Sequence, residues 1–154
     1  MPNKIESFHG DYRFLSNFWL CPVEYNDMIY PSSEHAFQAT KASNQKDHDF
    51  VASAQTPGVA KRRGKQLKLQ NRLRADWTQV SLSVMATVLR AKFRNADLRT
   101  LLLETGDAEL VEGNTWGDTF WGVCDGKGEN WLGILLMALR DRIREEVEKG
   151  DYAK

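Results

Sequence analysis

The sequence predicts a mostly helical α+β fold, built as one compact domain with a small antiparallel sheet, on three observations. The chain has 154 residues, a length typical of a single domain. Two segments, 76–95 and 130–149, carry apolar residues at helical spacing. The segment 22–30 contains two short β-prone runs around Asn26-Asp27, which is typical of a hairpin turn. We therefore expect one α+β domain over residues 1–154.

The N-terminal half is expected to begin with strands and turns and then to become helical. After the hairpin, Ser32 is the expected N-cap of a helix that runs to about Ala42. A second, short helix is predicted over 47–54. Thr56-Pro57 indicates the start of a third helix, because proline is favoured at the first helical position after a threonine cap.

The C-terminal half is dominated by the two helices with the clearest apolar stripes. In order, the predicted elements are a helix over 76–95, a helix over 97–105 that stops at Gly106, a strand at 110–111, a glycine-rich aromatic loop over 113–128 and a helix over 130–149 capped by Asn130.

Composition excludes several classes of protein. Cys21 and Cys124 form neither a disulfide framework nor a Cys-x-x-Cys pair, which is typical of a reducing cytosol. No apolar stretch approaches the roughly 20 residues that a membrane span needs. The first residues also lack the apolar run of a signal peptide. We therefore expect a cytoplasmic protein without membrane contact.

The net charge is zero, but the charges are unevenly distributed. The segment 61–74 holds seven basic residues and no acidic one, whereas 104–129 holds seven acidic residues and Lys127 alone as a base. A basic cluster favours phosphate-bearing ligands, a nucleotide or a nucleic-acid backbone. A solvated basic helix face is the structural alternative. Arg62 is our candidate for phosphate binding.

Polar, potentially reactive side chains stand beside aromatic rings in three short segments, 14–18, 33–41 and 116–122. In the second segment Glu34, Gln38 and Lys41 are spaced i, i+4 and i+7, so on a helix they line up on one face. The structural alternative is that Glu34 and Lys41 only stabilise the two ends of that helix through its dipole.

The chain lacks the common catalytic motifs, and its candidate side chains favour a reaction without a metal or a cofactor. The chain has no P-loop and no Gly-x-Ser-x-Gly elbow, and its three histidines lack the spacing of a metal site. Carboxylates, a lysine and aromatic rings suit cleavage of a bond between a sugar carbon and a nitrogen base. By one route a carboxylate stabilises an oxocarbenium-like state or activates water. By the other a partly desolvated lysine attacks the anomeric carbon and forms an imine.

The same segments resemble the NADAR (YbiA-like) family. Its patterns Leu-Ser-Asn-Phe, Glu-His-x-x-Gln-Ala-x-Lys and Thr-Pro-x-x-Ala-Lys-Arg are met at 15–18, 34–41 and 56–62. Its later pattern is met by residues that include Asp118, Trp121-Gly122 and Asn130-x-Leu-Gly133, and the resemblance spans about 8–142 in order. The resemblance implies an N-glycosidase in a mixed α+β fold.

The resemblance also implies a class of substrate. Family members act on early phosphorylated riboflavin-pathway intermediates or remove ADP-ribose from guanine in nucleic acid. The expected partner is therefore a phosphorylated ribosyl-heterocycle or an ADP-ribosylated nucleic acid. Arg13, Phe37 and Cys124 depart from residues that are common in the family, which bears on the substrate more than on the chemistry.

The residues and the resemblance together lead to a set of site predictions. Lys41 is the predicted amine nucleophile, Glu34 the general acid/base or electrostatic partner, and Asp118 a catalytic or ribose-binding group. The predicted substrate-binding residues are Asn17, Phe18, His35, Gln38, Arg62, Trp116, Trp121 and Gly122. His35 is equally explained as a core residue, and the helical stripe assigns Trp77, Met85 and Phe93 to the core.

Two hypotheses from different classes stay open at this point. The first is a metal-independent N-glycosidase. The second is a binding module that recognises ADP-ribose or a related nucleotide without cleaving it. A third hypothesis shares the chemistry of the first: an immunity or antitoxin component that reverses the modification made by an ADP-ribosylating toxin.

Overall fold

The structure, a computed structural model, describes residues 2–150. In chain order its elements are β1 (Lys4–Ile5), a 3-10 helix (Gly10–Leu15), β2 (Leu20–Tyr25), β3 (Met28–Ser32), α1 (Ser33–Thr40), α2 (Gln45–Ala52), α3 (Pro57–Leu69), α4 (Trp77–Lys92), α5 (Ala96–Glu104), β4 (Glu109–Leu110), β5 (Gly113–Asn114), β6 (Val123–Cys124) and α6 (Trp131–Glu148). The α+β class is confirmed. No helix within 2–150 is long and apolar enough to cross a membrane.

The described residues form two compact units, so the prediction of one domain over the whole chain stays a prediction. One unit is the continuous segment 17–92, and the other combines 2–16 with 93–150. For brevity we call them the continuous unit and the split unit.

The continuous unit packs α2, α3, α4 and the β2–β3 hairpin around α1. The predicted hairpin turn is confirmed: Tyr25 pairs with Met28, and Asn26 and Asp27 both adopt positive φ, as a two-residue turn of this type requires. Helix α1 is buried along almost its whole length, although four of its residues are polar or charged, namely Ser33, Glu34, His35 and Gln38. A helix buried in this way must satisfy each polar group internally.

Local capping explains where the helices of the continuous unit begin. Ser32 and Thr56 cap α1 and α3 as predicted, and Pro57 occupies the first position of α3. Helix α2 begins two residues before the predicted start because the Asn44 side chain accepts the backbone N–H of Asp47. Helix α4 covers less than the predicted 76–95, since it ends at Lys92.

The split unit contains two parallel strand pairs, β1 with β4 and β5 with β6. The predicted small antiparallel sheet therefore describes only the hairpin of the continuous unit, and β5 and β6 lie inside the segment predicted to be a loop. Short parallel pairs of two residues leave no alternating pattern to read in the sequence. Helices α5 and α6 contact each other.

Asn130 precedes α6 as predicted, but its side chain does not cap the helix. Its backbone is left-handed, with φ of 56°, and its amide instead donates to the carbonyl of Leu110 at 2.9 Å and accepts the N–H of Glu112 at 3.0 Å. The next turn adds a close contact, since a Cβ on Gly133 would overlap that same Leu110 carbonyl. Asn130 thus fastens the start of α6 to the chain that follows β4.

Candidate functional site

A carboxylate and an amide occupy neighbouring turns on one face of α1. Nε2 of Gln38 donates to Oε2 of Glu34 at 2.7 Å, and both side chains are more than nine-tenths buried. The predicted shared face is therefore present. Within residues 2–150 the buried Oε1 of Gln38 has no hydrogen-bond partner. It lies against Gly64 of α3 so closely that a Cβ there would overlap it.

The amine of Lys41 lies at the C-terminal end of the same helix, between two aromatic rings. Its Nζ is 5.4 Å from the centroid of Phe37 and 5.9 Å from that of Trp77, and the two rings contact each other at 5.1 Å. Both distances lie within the range of cation–π attraction. The amine is thus held at an aromatic surface rather than extended into water.

The surroundings of Lys41 lower its pKa to about 8 from an ordinary value of 10.5. Burial is the largest cause, because an amine removed from water is easier to keep neutral. The carboxylate of Glu34 acts in the opposite direction, and the ammonium groups of Lys68 and Lys61 lower the pKa further. About one Lys41 amine in ten is therefore neutral at pH 7.

Backbone hydrogen bonds fix Lys41 and the nearby start of α4 together. The N–H of Arg74 donates to the carbonyl of Lys41 at 2.9 Å, and Ala42 forms an isolated bridge with Leu73. The N–H of Trp77 in turn donates to the carbonyl of Arg74 at 3.2 Å. The segment that begins α4 is therefore anchored on Lys41 itself.

Asn17 holds the N-terminus of α1 from a preceding loop. Its carbonyl accepts the N–H of Glu34 at 3.0 Å, and its Oδ1 accepts the hydroxyl of Ser33 at 2.8 Å. Its Nδ2 faces the sulfur of Met85 at 3.5 Å. The neighbouring Phe18 is 44% exposed. Of the two, Phe18 has the ring surface that a ligand can reach.

His35 is a correction to the predicted list of substrate-binding residues. The side chain is fully buried, with Nδ1 2.7 Å from the Ser32 hydroxyl and Nε2 2.9 Å from the carbonyl of Ala54. A carbonyl only accepts, so Nε2 carries the proton and Nδ1 accepts from Ser32. Because both ring nitrogens bind the protein, we assign His35 to holding the N-terminus of α1.

Side-chain partners divide the basic segment 61–74 into two groups. Arg63 binds the carbonyl of Phe50 at 2.7 Å, Arg72 pairs with Asp47, and Arg74 makes two hydrogen bonds to Asp76. The remaining basic residues lie on α3, namely Lys61, Arg62, Lys65 and Lys68. The exposed guanidinium of Arg62 is available to an anion, and Lys61 lies over the Phe18 ring at 5.9 Å.

The remaining predicted residues belong to the glycine-rich loop of the split unit. Oδ1 of Asp118 accepts the backbone N–H groups of Phe120 and Trp121 at 3.2 and 2.9 Å, and Asn114 holds the Asp118 backbone from the other side. This places Asp118 in a turn, which is a common position for a loop aspartate. Its second carboxylate oxygen has no hydrogen bond within residues 2–150.

Aromatic side chains of this loop differ in exposure. Trp116 is 55% exposed, whereas Trp121 is half-buried and packs edge-on against Phe120 at 4.8 Å. Gly122 cannot carry a side chain, since a Cβ would overlap the carbonyl of Glu112. Its role is to allow close backbone packing, and Trp116 is the more exposed of the two tryptophans.

The continuous unit therefore gathers Glu34, Gln38 and Lys41 into one cluster, as predicted. Sequence reasoning did not predict which residues surround this cluster, namely Phe37, Lys61, Gly64, Lys68 and Trp77. Trp77 was assigned to the core, but it is only half-buried and its ring faces Lys41. The charged neighbour Asp76 was the signal in the sequence that Trp77 lies near the surface. No group of histidine, cysteine and acidic residues within 2–150 has the arrangement of a metal site.

Comparison with known proteins places this cluster in a wider context. The NADAR domain model matches residues 6–144. The chain is 42% identical over 151 residues to the N-glycosidase YbiA of Escherichia coli K12, covering 95% of this chain and 92% of that protein. It is 37% identical over 139 residues to a riboflavin biosynthesis protein of Vibrio vulnificus, covering 89% of this chain but 36% of that one. The solution structure of E. coli YbiA superposes with a TM-score of 0.82 at 39% identity, covering 95% of this chain and 88% of that chain.

Proposed function

Since the chain belongs to the NADAR domain family and is a hydrolase acting on N-glycosyl bonds, we propose that Lys41 is its nucleophile, assisted by Glu34. The observation that carries this proposal is the pKa of Lys41, which its surroundings lower to about 8. At pH 7 about one Lys41 side chain in ten is then neutral, against roughly one in 3,000 for an exposed lysine. A residue needed only for surface charge gains nothing from such burial.

The proposed reaction proceeds through a covalent imine. The Nζ lone pair attacks the anomeric carbon, the bond to the base nitrogen breaks, and the base leaves with a proton. The bond from the anomeric carbon to the ring oxygen then opens, so that this oxygen takes a proton and an iminium forms on Lys41. Water adds to the iminium carbon, which releases the sugar as an aldehyde and returns the free amine.

Glu34 is placed to move protons in these steps. It is buried, hydrogen-bonded to Gln38, and close enough to Lys41 to raise the pKa of its amine. We propose that it takes the proton that Lys41 loses as it attacks, and that it later activates the water. Gln38 fixes the orientation of this carboxylate. Its predicted contact with the substrate stays a prediction, because its Oε1 lies buried against Gly64. The catalytic or ribose-binding role of Asp118 stays a prediction.

The proposed substrate is a ribose joined to a nitrogen of a flat heterocycle and bearing phosphate. Three amines act on one another around the cluster, those of Lys41, Lys61 and Lys68, and an anionic substrate relieves their repulsion. Arg62 adds a bidentate donor for phosphate. The exposed ring of Phe18 is proposed to stack on the heterocycle. The predicted substrate contact of Trp116 stays a prediction.

Two substrate classes meet these requirements, and a direct experiment separates them. An oligonucleotide with ADP-ribosylated guanine and a ribosylamino-pyrimidine 5′-phosphate are incubated with the enzyme, and the products are weighed by mass spectrometry. Release of unmodified oligonucleotide assigns a repair or antitoxin role, for which we propose the cytoplasm as the location and an ADP-ribosylating toxin as the functional counterpart. Release of ribose 5-phosphate assigns clearance of a riboflavin-pathway intermediate.

Borohydride tests the covalent step in the same reactions. Reduction during turnover is expected to leave a secondary amine on Lys41, visible in the peptide that contains it. Lys46→Met on the exposed face of α2 is the matched control and is expected to retain the adduct. Binding of either substrate without cleavage and without adduct would overturn the proposal in favour of a nucleotide-binding module.

A further inference from the structure

The amine of Lys41 lies at the junction of three helices, and each contributes a different kind of contact. Helix α1 supplies the Phe37 ring and the Glu34 carboxylate, and α3 supplies the ammonium groups of Lys61 and Lys68. From α4 the contact is the indole of Trp77, which has no charge.

The indole completes an aromatic wall around the amine. Trp77 and Phe37 contact each other at 5.1 Å with their planes tilted by 59°, and both centroids lie within 6 Å of Nζ. Without the indole, Phe37 would cover the amine from one side only. The half-buried Trp77 therefore forms a second aromatic side of the surroundings of the Lys41 amine.

The position of this indole is specified by the backbone of Lys41. The Lys41 carbonyl accepts the N–H of Arg74, and the Arg74 carbonyl accepts the N–H of Trp77. The guanidinium of Arg74 also binds Asp76 through two hydrogen bonds, at 2.6 and 3.0 Å. The backbone that carries Trp77 is thus anchored on Lys41, as a positioned site group requires.

We propose that Trp77 is a positioning residue of the reaction, which keeps water from the Lys41 amine and holds it neutral and in place for attack. This inference rests on the proposed function of Lys41. Burial is the largest cause of the lowered pKa of Lys41, so removal of the wall raises it. The cation–π attraction favours the ammonium form, so its loss lowers the pKa of Lys41. This effect is smaller than the effect of lost burial.

The test measures the amine itself before it measures catalysis. Protein labelled with ¹³C-lysine is titrated by NMR, and the Cε signal that is missing from Lys41→Met is assigned to Lys41. The midpoint in the unsubstituted protein is expected at about 8. Trp77→Ala is expected to raise it by about one unit or more, which reduces the neutral amine at pH 7 about tenfold. Trp77→Leu, which keeps an apolar wall, is expected to shift it by less than about half a unit.

Activity is then followed against pH for the same variants. The loss in Trp77→Ala is expected to be about tenfold or more at pH 7 and to be largely recovered near pH 9.5, whereas a variant with damaged packing stays slow at every pH. Leu82→Ala, which truncates a half-buried residue of the same helix, is the control and is expected to leave the midpoint unchanged.

An unchanged Lys41 midpoint in Trp77→Ala, or a loss of activity that does not depend on pH, would overturn the inference. A midpoint that shifts as expected while cleavage proceeds unaltered would instead overturn Lys41 as the nucleophile. The two failures are therefore distinguishable.

Discussion

Gly64 of α3 and Gln38 of α1 lie in direct contact, with no room for a side chain between them. A Cβ on residue 64 would overlap Oε1 of Gln38 and come within 2.9 Å of its Cδ. Because Gly64 has no side chain, α3 packs directly against the Gln38 amide, which orients Glu34.

Substitution of this glycine is expected to disturb stability and activity together. In Gly64→Ala the buried Gln38 amide must shift, which is expected to lower the free energy of unfolding by about 1–3 kcal/mol and to break the bond to Glu34. Urea unfolding and the rate of substrate cleavage measure the two effects. Gly58→Ala is the matched control, because a Cβ there meets only ordinary contacts at 3.8 and 4.0 Å. It is expected to be as stable as the unsubstituted protein or more so, by up to about 1 kcal/mol. Equal stability of the two variants would contradict this account of the contact.

Burial of the Lys41 amine is expected to destabilise the protein at neutral pH. The pKa of Lys41 is about 8 in the folded chain, below its ordinary value of 10.5, so between these values the unfolded chain binds more protons. Stability therefore rises with pH across this window and is lowest below pH 8. Lys41→Met, which is neutral at every pH, is expected to be about 1–3 kcal/mol more stable than the unsubstituted protein at pH 7.

Urea unfolding at pH 7 and at pH 10.5 measures this difference in stability. The advantage of Lys41→Met is expected to shrink as the pH rises, while its cleavage activity is absent throughout. Lys46→Met is the control and is expected to show no such pH-dependent gain. A gain of the same size at both pH values would show that packing, rather than charge burial, is responsible.

Glu34→Gln separates proton transfer from electrostatics. If the carboxylate moves protons, cleavage is expected to slow by two or more orders of magnitude. The same substitution removes the charge that raises the pKa of Lys41, so the pKa of the amine is expected to fall further and the neutral fraction at pH 7 to increase. A variant that cleaves as fast as the unsubstituted protein or faster, with its pH profile shifted to lower pH, would limit Glu34 to the electrostatic role.

Substitutions of Asp118 in the glycine-rich loop separate a contact with the sugar from a role in the turn. Asp118→Asn retains an oxygen that accepts the N–H groups of Phe120 and Trp121, whereas Asp118→Ala removes it. If the second carboxylate oxygen contacts the sugar, Asn is expected to reduce cleavage at least about tenfold without changing the unfolding midpoint. Ala is expected to lower that midpoint as well. Full activity in Asp118→Asn would leave Asp118 with the turn alone.

Sequence reasoning succeeded where one or two neighbouring residues determine the structure. The structures of the Asn26-Asp27 turn and of the caps at Ser32 and Thr56 depend on neighbouring residues only, and each was predicted correctly. The shared face of Glu34 and Gln38 follows from helical spacing, and the 2.7 Å hydrogen bond between them confirms it.

The surroundings of the site could not be predicted because they depend on contacts between distant segments. Trp77 reaches Lys41 through a backbone connection made by Arg74, which no periodicity reveals. The requirement for glycine at position 64 comes from α1, which packs against it. Asn130 binds Leu110 rather than its own helix. The sequence left His35 open between a ligand contact and the core, and its two hydrogen-bond partners assign it to the scaffold.

The division of the chain into a continuous and a split unit has a consequence for its synthesis. Every contact within the segment 17–92 is available once residue 92 has left the ribosome, whereas the split unit combines residues 2–16 with residues 93–150. Since translation proceeds from the N-terminus, the cluster of Glu34, Gln38 and Lys41 is expected to assemble while the C-terminal helix α6 is still being made. Residues 2–16 leave the ribosome well before residues 93–150, so β1 stays unpaired in the nascent chain until β4 has been synthesised.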